Sequence, residues 1–189
     1  MALVLCVGCH QSKTPPVAQP PPQVVSVELG KVDQEYGLQL RLNNDGEAEP
    51  AIMDGSECRV VRRQRGMNVY FYFAVGAAFK WAESMDVAIA VEYFDSAPGY
   101  FILQYDASNT NNDRTWIYAN ATENERPTGN GGWKKAYFIA KGASFRNSQN
   151  AQSDFRVEVH AQELYVRQVS VIRLAPDEAT SRGKQLPGK

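Results

Sequence analysis

From Val24 to Leu174 the apolar side chains of this chain recur at every second position. Val25, Val27 and Leu29 alternate with Ser26 and Glu28; Leu38, Leu40 and Leu42 alternate with Gln39, Arg41 and Asn43. Val87, Ile89, Val91 and Tyr93 share one parity. Phe155, Val157, Val159 and Ala161 alternate with Arg156, Glu158 and His160. Successive side chains of a strand point to opposite faces, so this rhythm marks strands with one face buried. No segment carries a sustained stripe of 3.6-residue period, which removes helical frameworks.

Turn-forming clusters punctuate the pattern: Asn43-Asn-Asp-Gly46, Asp54-Gly55, Asp95-Ser-Ala-Pro-Gly99, Asn109 to Asp113, and Thr128-Gly-Asn-Gly-Gly132. Strands are expected near 24–30, 36–43, 57–64, 69–76, 86–94, 100–106, 114–119, 134–140 and 154–160, with a last one near 164–174. Many short strands separated by turns predict an all-β antiparallel sandwich or barrel. Every Phe, Tyr and Trp except Tyr36 lies between Tyr70 and Tyr165. The run Tyr70-Phe-Tyr-Phe73 is apolar on both parities. Such a strand either lies centrally, covered on each side, or presents rings to a ligand on one face.

The ends differ in character. Residues 1–9 are apolar up to Cys9, with the small Gly8 before it. That start resembles the C-terminal half of a bacterial lipoprotein signal, with Cys9 as the lipidated residue. A basic n-region is missing, which a start lying further upstream would supply, and Cys6 stands where Leu is usual. Residues 10–23 hold five prolines between Thr14 and Gln23. They read as a linker that favours extended polyproline II, about 3 Å per residue. Residues 24–175 form the expected domain. Residues 176–189, rich in charged and small polar residues, read as a disordered tail. The expected location is therefore outside the cytoplasm, at an outer or cell-surface membrane through the lipid alone, or in the periplasm.

Net charge is −1 with a pI near 6.1, so no basic field attracts a phosphate backbone, and nucleic acid is not an expected partner. The three cysteines, Cys6, Cys9 and Cys58, do not form a disulfide framework or zinc pattern; Cys58 reads as a buried free thiol. His10 and His160 are too far apart in sequence for a two-histidine signature. No Gly-x-Ser-x-Gly elbow, P-loop or dinucleotide fingerprint occurs. Glu92 and Asp95, three apart at a strand end, point to opposite faces, poor geometry for the paired carboxylates of a glycosidase. No enzyme activity is expected. Arg62, Arg63 and Arg65 read as guards of an edge strand.

The second half carries a recognisable set of motifs. It runs Val87-Ala-Ile-Ala-Val-Glu-Tyr-Phe-Asp95, Gly99-Tyr-Phe-Ile-Leu-Gln-Tyr-Asp106, Gly132-Trp-Lys-Lys-Ala-Tyr-Phe138, Ala143-Ser-Phe-Arg-Asn147, Asp154-Phe-Arg156 and Leu164-Tyr-Val-Arg-Gln-Val-Ser-Val171. Together these resemble the galactose-binding-domain-like jelly-roll modules of bacterial glycoside hydrolases and surface proteins, over roughly residues 60–174. The resemblance implies a jelly-roll sandwich, a non-catalytic carbohydrate-binding role with a polysaccharide partner, and in many members a structural calcium. Trp133 and Phe155 would then be core residues, and Asp154 a hydrogen-bonding or calcium-side carboxylate.

Sugar recognition needs a flat aromatic surface and polar groups in fixed positions. Trp116 and Tyr118, two apart, share one face of the expected strand, with Ile117 pointing into the core; Asp113, Arg114 and Asn120 flank them. The alternative places Trp116 and Tyr118 in the core with Ile117 outside. Trp81, on an expected loop, is a further ligand candidate or a cap on the core edge. By the analogy with related sandwiches, Glu28 and Asp154 would hold the calcium, with Asp33 and Asp106 as weaker alternative candidates. The rival function is a structural or protein-interaction lipoprotein domain with no sugar site; a polysaccharide-degrading sandwich enzyme is a third.

Overall fold

The computed structural model describes residues 20–64, 67–107, 117–122 and 124–175. Among them lie twelve strands and no α-helix: β1 (Val24–Glu28), β2 (Gln34–Tyr36), β3 (Leu38–Arg41), β4 (Glu49–Met53), β5 (Ser56–Arg62), β6 (Val69–Val75), β7 (Met85–Phe94), β8 (Phe101–Tyr105), β9 (Ala119–Asn120), β10 (Trp133–Ala143), β11 (Phe155–Val159) and β12 (Glu163–Arg173). All strand pairs are antiparallel. Seven strands form one sheet, with the path β10-β7-β12-β1-β2 and the β4–β5 hairpin joined to β12. The other sheet has five strands in the order β3-β6-β11-β8-β9. The expected antiparallel β-sandwich is what the chain forms.

The inward-facing apolar residues of both sheets meet between them. Val25, Val27, Phe71, Phe73, Val87, Ile89, Val91, Phe101, Leu103, Phe155, Val157, Val169 and Val171 are all buried in one continuous core. Burying a side chain of this size contributes roughly 1.5–3 kcal/mol. Phe155 is fully buried and stacks on Phe73 with ring centroids 5.1 Å apart.

β12 is the spine of the larger sheet. Its first half pairs with β5 and its second half with β1, while β7 runs along its other edge. The register slips at Arg167, between the β5-paired and β1-paired stretches. Such a bulge sharpens local twist and lets one strand serve two partners.

Three readings need correction. The expected strand 36–43 breaks at Gly37, whose φ of +80° suits a residue without Cβ, so β2 and β3 fall in different sheets. β4 is an additional strand, placed on the sheet's edge by Pro50, which cannot donate to a ladder. It closes on β5 through Asp54-Gly55, both at positive φ, the geometry of a two-residue hairpin. Trp133, expected in the core, lies on the outer face of the seven-stranded sheet. There it packs edge-on against Phe94 at 5.5 Å, under the Arg167 guanidinium at 4.4 Å. The core parity of β10 belongs to Ala136, Phe138 and Ala140, and Trp133 is of the opposite kind.

Candidate functional site

The outer face of the five-stranded sheet presents the polar parity of its strands. One cross-strand row reads Arg41 (β3), Tyr72 (β6), Arg156 (β11), Gln104 (β8) and Asn120 (β9). Beside it run Tyr70, Glu158 and Ile102. Neighbouring strands lie about 4.8 Å apart, so side chains along a row touch.

The centre of the row is a stack. The Arg156 guanidinium sits 4.1 Å from the centroid of the Tyr70 ring and 4.0 Å from that of Tyr118. Its Nε donates to Gln104 Oε1 at 2.8 Å and Nη1 to the Tyr72 hydroxyl at 3.5 Å. Gln104 Nε2 in turn donates to Asn120 Oδ1 at 3.2 Å. The Tyr118 hydroxyl donates to Asn150 Oδ1 at 3.1 Å, and Asn150 Nδ2 points to the Tyr72 oxygen at 3.5 Å. Tyr72 donates to Asp45 Oδ2 at 2.9 Å. Burial, reinforced by that carboxylate, pushes the Tyr72 phenol up to about 12, so it stays a donor at any ordinary pH.

The loop Ser144–Ser153 brings Asn150 to this face. It holds four non-glycine residues at positive φ: Phe145, Asn147, Ala151 and Gln152. Conformations of this kind cost of order 1 kcal/mol or more each and persist where surrounding contacts fix them. Those contacts are present: Asp154 accepts from the Asn147 N–H at 2.7 Å, and Asp106 from the Arg146 N–H at 2.8 Å. The Gln149 amide donates to the carbonyls of Ile117 and Gln104, and its Oε1 is buried without a partner among the described residues.

The expected site residues divide. Tyr118 and Asn120 belong to the face just described. Asp113, Arg114 and Trp116 lie outside the described residues, as do Cys9, the linker up to residue 19, Arg65 and the tail 176–189. Ile117 is only half-buried, and residues 117–118 form a helical turn rather than strand; Ala119 and Ala121 take the core contact instead. Trp81 serves the other expected role. It packs edge-on against Phe79 at 5.3 Å and beneath the Arg173 guanidinium at 3.9 Å, capping the core edge.

Glu28 and Asp154 are not brought together as calcium ligands. Glu28 lines a cleft on the outer face of the seven-stranded sheet with Glu57, Glu92 and Arg167. Asp154 is fully buried in the other sheet, where its carboxylate accepts from the Val75 and Asn147 N–H groups, both at 2.7 Å, and pairs with Lys80 at 3.1 Å. Asp33 is paired with Arg59 and Asp106 with Arg146. These carboxylates are surrounded by donors and cations, the reverse of what a hard cation recruits. Glu92 pairs with Arg167, and Asp95 is sealed in a loop by Thr128, Gly129 and Lys134.

No protein-family model and no curated protein matches this chain. Solved structures similar to it include the K1 cleaved adhesin domain of Lys-gingipain from Porphyromonas gingivalis W83, at 14% identity over 82% of this chain and 100% of that chain, TM-score 0.47. A family 29 carbohydrate binding module from Piromyces equi is similar at 14% identity over 82% of this chain and 91% of that one, TM-score 0.45. The CBM22-1 xylan-binding domain from Paenibacillus barcinonensis is similar at 14% identity over 84% and 100%, TM-score 0.42. Carbohydrate-binding modules, the resemblance that the motifs suggest, thus recur among the similar solved structures. What those proteins bind is theirs; the site here is read from its own side chains.

Proposed function

We propose that the chain is a non-catalytic carbohydrate-binding module of an exported protein, anchored at a membrane through lipid on Cys9. The observation that carries the binding reading is the half-exposed Tyr118 ring stacked on Arg156, which itself lies on the buried Tyr70, beside the amides of Gln104, Asn120 and Asn150. A sugar ring offers an apolar face and a rim of hydroxyls. A fixed aromatic surface beside amide donors and acceptors matches both. Sheet and loop contacts hold these groups before any ligand arrives, which lowers the ordering cost of binding.

The test is affinity electrophoresis of the full chain through gels containing xylan, hydroxyethylcellulose or polygalacturonate. At least one polymer should retard the wild type. Tyr118→Ala should weaken that retardation about tenfold, because a lost ring contact removes of order 1 kcal/mol or more. Its melting temperature should stay close to wild type, since Tyr118 is half-exposed and outside the main core. A wild type retarded by no polysaccharide, or a Tyr118→Ala variant retarded equally, rejects the binding reading and favours a protein-interaction role.

A further inference from the structure

We infer that the glycan taken by this face is a polyuronate, whose carboxylate is received by Arg156; the inference rests on the carbohydrate-binding reading above. Four of the nine arginines among the described residues are held in ion pairs. Arg59 holds Asp33, Arg62 holds Glu49 and Glu163, Arg146 holds Asp106, and Arg167 holds Glu92. Arg156 is half-buried between two rings and has no carboxylate partner among the described residues.

The acids on the same face are already engaged. Asp45 accepts from Tyr72 and Asn43, and Glu158 pairs with His160 at 3.1 Å. Arg41, on the same row two strands away, is exposed and likewise without an ion pair among the described residues. Two arginines and two carboxylates thus share this face, and among the described residues neither arginine is ion-paired to either acid.

The geometry selects the anion. A guanidinium has five N–H donors, all in its plane. The Arg156 guanidinium carbon lies 4.1 Å from the Tyr70 ring centroid and 4.0 Å from that of Tyr118, and its hydrogen bonds are made at the edge. Nε is used by Gln104 and one Nη1 hydrogen reaches Tyr72, while Nη2 has no acceptor among the described residues. The remaining Nη edge is a planar fork suited to the two coplanar oxygens of a carboxylate. Gln104, Asn120 and Asn150 then flank it at hydroxyl positions of the same sugar.

The experiment compares retardation of the full chain by polygalacturonate, by the same polymer with its carboxylates reduced to alcohols, by dextran sulfate and by neutral xylan. Polygalacturonate should retard the chain at least about tenfold more strongly than its reduced form, and added salt should weaken the effect. Arg156→Gln should abolish the preference. Arg156→Lys, which keeps charge but loses the fork, should weaken retardation by roughly tenfold. Lys135→Gln, an exposed charge change on the other sheet, should leave it unchanged. Melting curves identify any variant that fails to fold, and the polymer comparison on wild type needs no variant at all.

Equal retardation by the acidic and reduced polymers overturns the uronate assignment while leaving carbohydrate binding intact. So does an Arg156→Lys variant as strongly retarded as wild type. Retardation by dextran sulfate without polygalacturonate overturns it in favour of sulfate esters. Retardation by none of the polymers removes the carbohydrate reading itself.

Discussion

Asp95, Asp106 and Asp154 are each fully buried, and each ties a loop to a strand end. Asp95 accepts from the Thr128 N–H at 2.7 Å, the Thr128 hydroxyl at 2.7 Å and the Gly129 N–H at 2.8 Å, with Lys134 as its counterion. Burial by itself raises its pKa, but Lys134, Gly129 and Thr128 together hold it well below the usual carboxylate range. A carboxylate depressed in the folded state stabilises the fold above its unfolded pKa, near 3.9. It loses that contribution as pH falls toward the folded value. Unfolding followed by circular dichroism should therefore show stability falling below about pH 4. Asp95→Ala should cost on the order of 2–4 kcal/mol at neutral pH, leaving the loop N–H groups unpaired, and should flatten the acid limb. An acid limb as steep in the variant as in wild type contradicts the assignment.

At the scale of elements, β6 explains the aromatic run. All seven of its residues are buried, although only one face points to the core. Phe71 and Phe73 face inward. Tyr70 and Tyr72 face outward, where Arg156 and the turn carrying Asp45 and Gly46 cover them. The strand is therefore central and covered on each side, the first of the two readings of Tyr70-Phe-Tyr-Phe73, with Tyr72 fully buried and Tyr70 nearly so. Gly46 makes the cover possible. A Cβ there would lie 2.5 Å from the Tyr70 carbonyl oxygen and 3.0 Å from the Tyr72 ring. Gly46→Ala should destabilise the protein by about 1–3 kcal/mol and loosen Tyr72. The measurable sign is a Tyr72 phenol that titrates nearer the ordinary 10 in ultraviolet difference spectra. A Gly46→Ala variant with unchanged melting and titration would show that the turn moves aside freely.

For the whole molecule, the first and last strands are neighbours: Val24 pairs with Ile172, and the Arg173 N–H donates to the Gln23 carbonyl. The chain enters and leaves the sandwich at the same end, so a tether on the N-terminal side also draws on the central strand β12. Under the anchor proposal, the full chain expressed in a bacterial host should incorporate palmitate and sediment with membranes, and Cys9→Ser should be unlabelled and soluble. A wild type that takes up no label rejects lipidation at Cys9.

The alternation of apolar and polar residues determined by itself that this chain folds as antiparallel sheets, and it marked the inward positions of β1, β7 and β11, because side-chain parity along a strand is a local property. It also showed β5 through β8 and β10 through β12 within a few residues. It did not show β4, where Pro50 hides an edge strand, nor that Trp133 belongs to the outer parity of a long strand. Of the candidate site it showed Tyr118 and Asn120 but not Arg156, Gln104, Tyr70 or Asn150. Those residues read as ordinary polar or aromatic members of separate strands and a loop. They become one surface only when β6, β11 and β8 align in register and a strained loop folds over them. Register and loop closure are set by packing between residues up to about ninety positions apart, as between Tyr70 and Arg156, and no local pattern encodes that.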